Sequence, residues 1–218
     1  MTIHHHLNDD TLMAYVAGTV SESMSFVIAT HLSLCATCRN KVKEMEKIGA
    51  VSLEDETPLA MQSGALDMVM GMLDNDFDEE ITPPANDHAV SSIPMPLRQF
   101  LPDDLDQIQW KNMAPGIKTF PLPEIKAGNG AVRLLKISPG VTIPEHGHCG
   151  AELTLVLKGS FSDEVGRFKA GDVADLDEDT NHQPIADTSE DCICLIVTES
   201  PLKFKALMPR LMQYFVGM

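Results

Sequence analysis

Residues 140–159, which read GVTIPEHGHCGAELTLVLKG, constrain the fold of this chain more than any other segment. They match the spacing G-x5-H-x-H-x3-E-x6-G at every specified position. In a β-strand, residues two apart point to the same side, so His146 and His148 can converge on one point. A short turn can then bring Glu152 back on the neighbouring strand, and the glycines permit tight turns. The segment predicts a metal site on short strands joined by tight turns, and the alternative is a purely structural role for these residues.

The rest of the C-terminal part supports a barrel. Short apolar runs follow one another, separated by Gly and Pro, which is typical of a sandwich or barrel built from many short strands. His182 follows an acidic stretch and is a candidate fourth ligand. The predicted strands are 108–111, 117–120, 132–137, 141–144, 153–157, 172–176, 183–186, 192–197 and 202–206.

The first part of the chain has helical spacing instead. Caps and apolar periodicity predict four helices, each with one apolar face. The fourth is rich in Met and could pack on its own bundle or lie on a partner protein, and the sequence favours neither. The predicted helices run from Asn8 or Asp9 to Ala17, from Ser21 or Ser23 to Leu34, from Thr37 to Ile48 with a stop at Gly49, and from Ser63 to Asn75.

A second candidate metal site lies in these helices. His31, Cys35 and Cys38 are spaced H-x3-C-x2-C, so that all three can share one face of a helix. Two thiolates and an imidazole suit zinc, and a structural zinc normally has four protein ligands. The triplet His4–His6 offers candidates for the fourth. The alternative is two buried thiols beside a satisfied histidine.

The charge of the chain excludes some functions. It has 16 Lys and Arg against 32 Asp and Glu, a net charge of −16, which argues against direct binding to nucleic acid or to an anionic membrane. No apolar run is long enough to span a membrane, and the N-terminus lacks the pattern of a secretory signal. We therefore expect a cytoplasmic protein whose five cysteines are thiols or metal ligands.

Composition divides the chain into two domains. Residues 1–85 carry 14 acidic and 4 basic side chains, a net charge of −10. A solvated surface is the more common explanation of such a charge, and the alternative is a domain that binds a basic partner protein. Residues 86–105 contain several prolines and are predicted to be a linker. Residues 106–218 hold the strand pattern. The predicted fold class is α + β: an all-α zinc-binding bundle followed by an antiparallel barrel.

The segment THLSLCATCR at 30–39 resembles the signature of zinc-containing anti-sigma factors, and together with the opening MTIHHHLNDDTLMAYVAGT it is similar to the ChrR-type proteins. The resemblance implies that residues 1–85 bind an extracytoplasmic-function sigma factor. It also implies that zinc is held by His6, His31, Cys35 and Cys38.

The run at 140–159 resembles the first cupin motif, and ChrR-type proteins also end in a cupin. The resemblance implies that His146, His148, Glu152 and His182 hold zinc or another divalent metal, since three imidazoles and a carboxylate also suit Fe, Mn or Ni. The second cupin motif departs from its usual form: the Pro-x-Gly and the final Asn are missing around His182. This departure puts enzymatic activity in doubt.

The main hypothesis is an anti-sigma factor whose cupin responds to oxidative or singlet-oxygen stress, with no catalytic residues. The alternative is a cupin metalloenzyme of the dioxygenase or isomerase type with an accessory zinc module, and a weaker one is a small-molecule sensor. Three other sequence features are predicted to have no functional role. Cys149 is expected to lie in a loop without taking part in redox chemistry at the metal, and Cys192 and Cys194 are expected to be inert buried thiols rather than a sensor pair. The pair Asp163-Glu164 is expected to form a solvated turn.

Overall fold

The computed structural model of the chain describes residues 2–73, 93–126, 128 and 130–201, together with the backbone of 203–204. Within these residues the N-terminal part is helical, as predicted. Its helices are α1 (Asp9–Val16), α2 (Glu22–Leu34), α3 (Ala36–Glu54) and α4 (Ala65–Leu73).

The ends of the helices mostly follow the capping signals. The Asn8 side chain accepts a hydrogen bond from the first turn of α1, and Gly18, in the left-handed region at φ +68°, follows its end. The predicted stop of α3 at Gly49 is wrong, because the helix continues to Glu54. Gly49 has no positive φ and nothing lies near the position of a Cβ, so it is an ordinary exposed helical residue that costs about 1 kcal/mol relative to Ala.

The strands follow from residue 111 onwards. They are β1 (Lys111–Ala114), β2 (Ile117–Pro121), β3 (Ala131–Ile137), β4 (His146–Gly147), β5 (Glu152–Lys158), β6 (Ser160–Ser162), β7 (Arg167–Lys169), β8 (Val173–Leu176), β9 (Asn181–His182), β10 (Ile185–Ala186), β11 (Cys192–Thr198) and β12 (Lys203–Phe204).

Short strands account for most of the differences from the predicted set. The predicted strand 108–111 is also wrong, because β1 begins only at Lys111. The pattern missed β4, β6, β7 and β9, because two or three residues are too few to show a period. The predicted strand 141–144 is wrong: this segment makes only one isolated bridge, from Thr142 to Ile185. Pro144 ends it and cannot donate to a ladder. Of the predicted strand 202–206, only the backbone of 203–204 lies among the described residues.

The strands form antiparallel sheets that curl into the predicted barrel. The largest has the order β1-β2-β3-β11-β5-β8, and two three-stranded sheets have the orders β10-β6-β7 and β12-β4-β9. One apolar core fills the interior, and its members include Ile137, Val156, Phe161, Phe168 and Cys194.

A second core lies on the outer face of the large sheet, where α2 packs against β5 and β11. Leu153, Leu155 and Leu195 point outward and share this core with Val27 and Ile28 of α2. The two central strands are therefore buried on both faces, which is why they read as continuous apolar runs rather than as alternating ones.

The described part of the predicted linker, 93–105, is packed against the rest of the protein. Leu97–Phe100 forms a short 3₁₀ helix, and Ile93, Leu97 and Leu105 are buried in the core between the helices and the sheet. Residues 86–92 lie outside the described residues. Among the helices of the described ranges, none has the length and apolar character that crossing a membrane requires.

We predict that Gly159→Ala destabilises the barrel more than Gly140→Ala. Both glycines have φ near +71°, which costs any other residue about 1–2 kcal/mol. A Cβ on Gly159 would also lie 2.5 Å from the Asp191 carbonyl oxygen, whereas one on Gly140 would meet only the Thr188 methyl at 3.8 Å. Urea unfolding should show at least about 1 kcal/mol of extra loss for Gly159→Ala, from overpacking. Equal losses would contradict this explanation.

Candidate metal centres

The four residues predicted for the helical site come together in the structure. His31 lies in the last turn of α2, Cys35 lies between α2 and α3, and Cys38 lies in the first turn of α3. His6 approaches from the extended segment before α1. One possible ligand atom from each residue lies within 4.8 Å of the others.

The contacts inside this helical cluster involve nitrogen and sulfur atoms. His6 Nδ1 lies 3.2 Å from the Sγ of Cys35 and 3.6 Å from the Sγ of Cys38, and His31 Nε2 lies 3.3 Å from the latter. The backbone of Cys38 donates to Cys35 Sγ at 3.4 Å. The backbone of His5 is bonded to the barrel instead, so the register of this segment selects His6 from the histidine triplet.

Burial controls the protonation of the helical cluster. Burial lowers the pKa of His31 to about 4, and the adjacent His6 adds to this effect. Burial also raises the pKa of Cys38 to about 11. The imidazole is therefore neutral, which is the form that binds metal, while a thiolate here needs a cation to balance its charge. The donor set suits zinc, because two sulfurs and two imidazoles match its tetrahedral sites.

The residues predicted for the barrel site also converge. His146 on β4 pairs directly with His182 on β9, and Glu152 begins β5. These three side chains and that of His148 are all buried, and one atom of each lies within 4.8 Å of the others. The sequence placed the first three ligands on one motif, but only the β4–β9 pairing brings in His182.

The hydrogen bonds of two imidazoles leave a place for a cation. His146 Nδ1 lies 2.8 Å from the Pro144 carbonyl oxygen, and His182 Nδ1 lies 2.7 Å from a carboxylate oxygen of Asp163. Both Nδ1 atoms must therefore carry the proton, and both Nε2 atoms carry lone pairs in the neutral rings. These two Nε2 atoms face each other at 3.1 Å. Two acceptors this close in a buried site fit a shared metal ion.

His148 and Glu152 complete the barrel cluster. His148 Nδ1 is 3.3 Å from a Glu152 carboxylate oxygen, and neither ring nitrogen makes a hydrogen bond of normal geometry. Burial disfavours the charged carboxylate, but the surrounding imidazoles, His148 first, outweigh this and lower the pKa of Glu152. A carboxylate beside three imidazoles is a suitable ligand set for a divalent metal.

Asp163 is a residue whose role the sequence interpretation missed. It does not belong to a solvated turn, as predicted, because its side chain is buried and accepts from His182. Its other oxygen accepts from the backbone of Val165 and Gly166 at 2.9 and 3.0 Å. The adjacent Glu164 is exposed, as expected. Nothing in the sequence links Asp163 to His182, since the turn after β6 brings them together.

The remaining cysteines are not among these clusters. Cys149 is exposed, in agreement with a loop position. Cys192 and Cys194 are buried in the barrel interior as free thiols with 3.5 Å between their sulfur atoms. Their inert character stays a prediction.

These features define a class of protein: a helical His/Cys cluster joined to a cupin-like barrel with a His/Glu cluster. The family model of the ChrR cupin-like domain matches residues 101–202. The anti-sigma-E factor ChrR of Cereibacter sphaeroides is 41% identical over 215 residues, which cover 99% of each chain. The chain belongs to the ChrR family.

A solved structure agrees with this assignment over most of the chain. The crystal structure of Rhodobacter sphaeroides SigE in complex with the anti-sigma ChrR has a chain that is 40% identical. The match has a TM-score of 0.76 and covers 90% of this chain and 99% of that one. The likeness therefore extends through both the helices and the barrel.

Proposed function

We propose that this chain is an anti-sigma factor, which binds an extracytoplasmic-function sigma factor through residues 1–85 and keeps it from RNA polymerase. The observation that carries this proposal is α4, an apolar helix none of whose residues is buried. The family relative named an anti-sigma factor, and its crystal structure with SigE, support the same function.

The exposed apolar surface is concentrated in one segment. Of the fifteen large apolar side chains that are exposed in the described residues, eleven lie between positions 48 and 73. They come from the last turns of α3, the following loop and α4. Exposed patches of this kind mark surfaces that bind other proteins, and Met side chains adapt to a partner. The packing of α4 therefore favours a partner over the chain's own bundle.

The charge of the same part identifies the chemistry of the partner. Residues 1–85 have a net charge of −10, and proteins that bind DNA are basic. A sigma factor binds promoter DNA, so a basic surface is expected on such a partner. The chain would then regulate transcription without contacting DNA or a membrane, and it would work in the cytoplasm, where RNA polymerase is.

In this proposal the helical cluster holds zinc through His6, His31, Cys35 and Cys38. The metal supplies a cross-link between the N-terminal segment and the junction of α2 and α3. In so small a domain, the free energy of metal binding contributes directly to folding. The cross-link would fix the relative orientation in which α1, α2 and α3 contact the sigma factor.

The barrel cluster would hold zinc or another divalent metal through His146, His148, Glu152 and His182. We propose that the barrel receives an oxidative signal, such as singlet oxygen, and that the signal weakens the complex. A signal can act only if the two states of the barrel differ in their effect on sigma binding. The incomplete second cupin motif supports a regulatory barrel rather than a dioxygenase or isomerase, so we assign no catalytic residues.

We predict that the full chain co-purifies with one extracytoplasmic-function sigma factor of its source organism. Replacing Cys35 and Cys38 together by Ser should remove zinc from the helical site and abolish the complex, because the helices lose their cross-link. Cys149→Ser is the matched control, since it removes an exposed thiol outside both clusters. Pull-down with metal analysis measures both results. A complex that survives loss of both thiols would contradict the proposal.

Charges placed on α4 should weaken the complex without unfolding the protein. Leu66 and Leu73 are 68% and 71% exposed, so Leu66→Glu combined with Leu73→Glu removes no core packing. Loss of two apolar anchors should raise the Kd for the sigma factor about 10- to 100-fold. Val165→Glu, at a position 53% exposed on the barrel and outside residues 48–73, should leave the Kd unchanged. Titration calorimetry checks this, and equal effects at the three positions would refute the α4 interface.

Asp163→Asn should lower the affinity of the barrel site for zinc about 10- to 100-fold. The carboxylate holds the Nδ1 proton of His182 and so directs the Nε2 lone pair toward the cluster. The neighbouring Glu164→Gln is the control, because Glu164 is exposed and accepts a hydrogen bond from the backbone of Gln183 rather than from a ligand histidine. Competition with a chelator measures the affinity. Similar affinities for the two variants would show that Asp163 does not position the ligand.

A further inference from the structure

A buried carboxylate, that of Asp172, fastens the segment that carries His6 to the barrel. Asp172, in the turn between β7 and β8, is 1% exposed. One of its oxygens accepts hydrogen bonds from the backbone of His4 at 2.7 Å and of His5 at 3.1 Å. Its other oxygen accepts from the backbone of Lys169 at 2.9 Å. The carboxylate thus joins the N-terminal segment to the turn of the barrel.

Further contacts hold the same segment on both sides of His6. The carbonyl oxygen of His5 accepts from the backbone of Val173 at 3.3 Å, and its ring packs on Phe168 with 4.4 Å between centroids. Beyond His6, the backbone of Asn8 donates to Asp175 at 3.0 Å. His6 is therefore held between anchors that belong to the barrel.

The same turn reaches a second member of the helical cluster. His31 Nδ1 is buried and has no hydrogen bond of normal geometry. The backbone of Gly171 and the carboxylate of Asp172 lie near its ring. The turn Lys169–Asp172 therefore anchors the segment that carries His6 and also lies beside His31.

The turn is also tied to the strand that begins with Glu152. The backbone of Val156 on β5 donates to the Asp172 carbonyl oxygen at 3.0 Å, and the backbone of Gly171 donates to the Val156 carbonyl oxygen at 2.8 Å. The ladder between β5 and β8 then runs from Leu155 to Glu152. If metal binding by Glu152 displaces β5, these hydrogen bonds transmit the displacement to the turn, because a paired strand moves as one unit.

We propose that Asp172 is a positioning residue that couples the two metal sites, so that the state of the barrel site controls how firmly the helical site holds its metal. The inference rests on the metal-binding roles proposed above. It supplies a physical route by which a signal received in the barrel reaches the sigma-binding helices. Coupling of this kind is reciprocal, so sites linked through Asp172 must each alter the metal affinity of the other.

The carboxylate is well suited to this role, and no neutral side chain replaces it. Burial opposes its ionisation, but the three backbone amides outweigh burial and lower the pKa of Asp172. Asn at this position would turn an NH₂ group toward one set of N–H donors. Asn would lose either the bond from Lys169, which orders the turn, or both bonds from the N-terminal segment. Either loss leaves a buried donor unpaired and weakens the link between the turn and that segment.

Cobalt substitution of the full-length protein tests the coupling. Cobalt bound to thiolates gives a charge-transfer absorption that the barrel site, which has no sulfur ligand, does not produce. The rate at which EDTA removes this absorption reports on the helical site alone. We expect Asp172→Asn to release cobalt about 10- to 100-fold faster than the unchanged protein. Asp187→Asn is the matched control, because Asp187 is another barrel carboxylate that bonds to Ser160 and Arg167 and not to the N-terminal segment.

A double-mutant cycle separates coupling from simple loosening of the fold. Glu152→Gln weakens the barrel site and, as a single substitution, should change the rate of cobalt release from the helical site. In a protein that already carries Asp172→Asn, adding Glu152→Gln should have no further effect on that rate. If Asp172→Asn does not fold, as judged by circular dichroism, Asp175→Asn removes a milder anchor of the same segment and replaces it in the cycle.

Two results would overturn the proposal. The first is a rate of cobalt release from Asp172→Asn that equals the rate of the unsubstituted protein. The second is additive effects of Asp172→Asn and Glu152→Gln on that rate. If the cobalt-loaded protein without substitutions shows no cobalt–thiolate absorption, both this inference and the proposed zinc role are overturned. Failure to bind a sigma factor affects neither measurement, so the failure of the coupling and the failure of the anti-sigma function are distinguishable.

Discussion

Burial of the two central strands on both faces is the constraint on which the rest of the structure depends. The interior faces of β5 and β11 line the barrel, where Glu152 meets the three histidines, and their outer faces pack on α2. Each Leu buried on the outer face contributes about 1.5–3 kcal/mol. This packing brings the helical cluster next to the barrel, because His31 lies in the last turn of α2.

Both clusters bury ionisable side chains, which is costly, and a bound cation would offset that cost in each. Burial keeps His31 and His146 neutral by lowering their pKa values, and it raises the pKa of Cys38. Groups of this kind are costly to bury when no partner satisfies them. A divalent cation satisfies nitrogen, sulfur and carboxylate donors together, which explains why such residues are gathered in two places of an otherwise apolar core.

The distribution of polar and apolar surface separates the roles of the two parts. The barrel and α2 bury their apolar side chains, whereas the segment from Ile48 to Leu73 leaves its own exposed. That segment lies in the more acidic part of the chain. An apolar helix on an acidic domain is what a basic partner with a hydrophobic groove would bind, and the barrel is attached to the same domain through buried contacts that could carry a signal.

The sequence by itself determined the fold class, the approximate positions of the long elements and the two sets of candidate ligands. Helical spacing, strand-length apolar runs and the spacing of His, Cys and Glu are local patterns, so they can be read along the chain. The sequence identified His6 among the three adjacent histidines only through the resemblance to a family. For Asp163, which is buried in the structure, the sequence predicted a solvated turn.

Only the tertiary structure decided which distant groups meet. The β4–β9 pairing brings His182 to His146, a turn places Asp163 behind His182, and another turn places Asp172 beneath the segment of His6. These contacts join residues 19 to 168 positions apart. Their geometry depends on how the sheets curl and how the helices pack, and no local spacing records either.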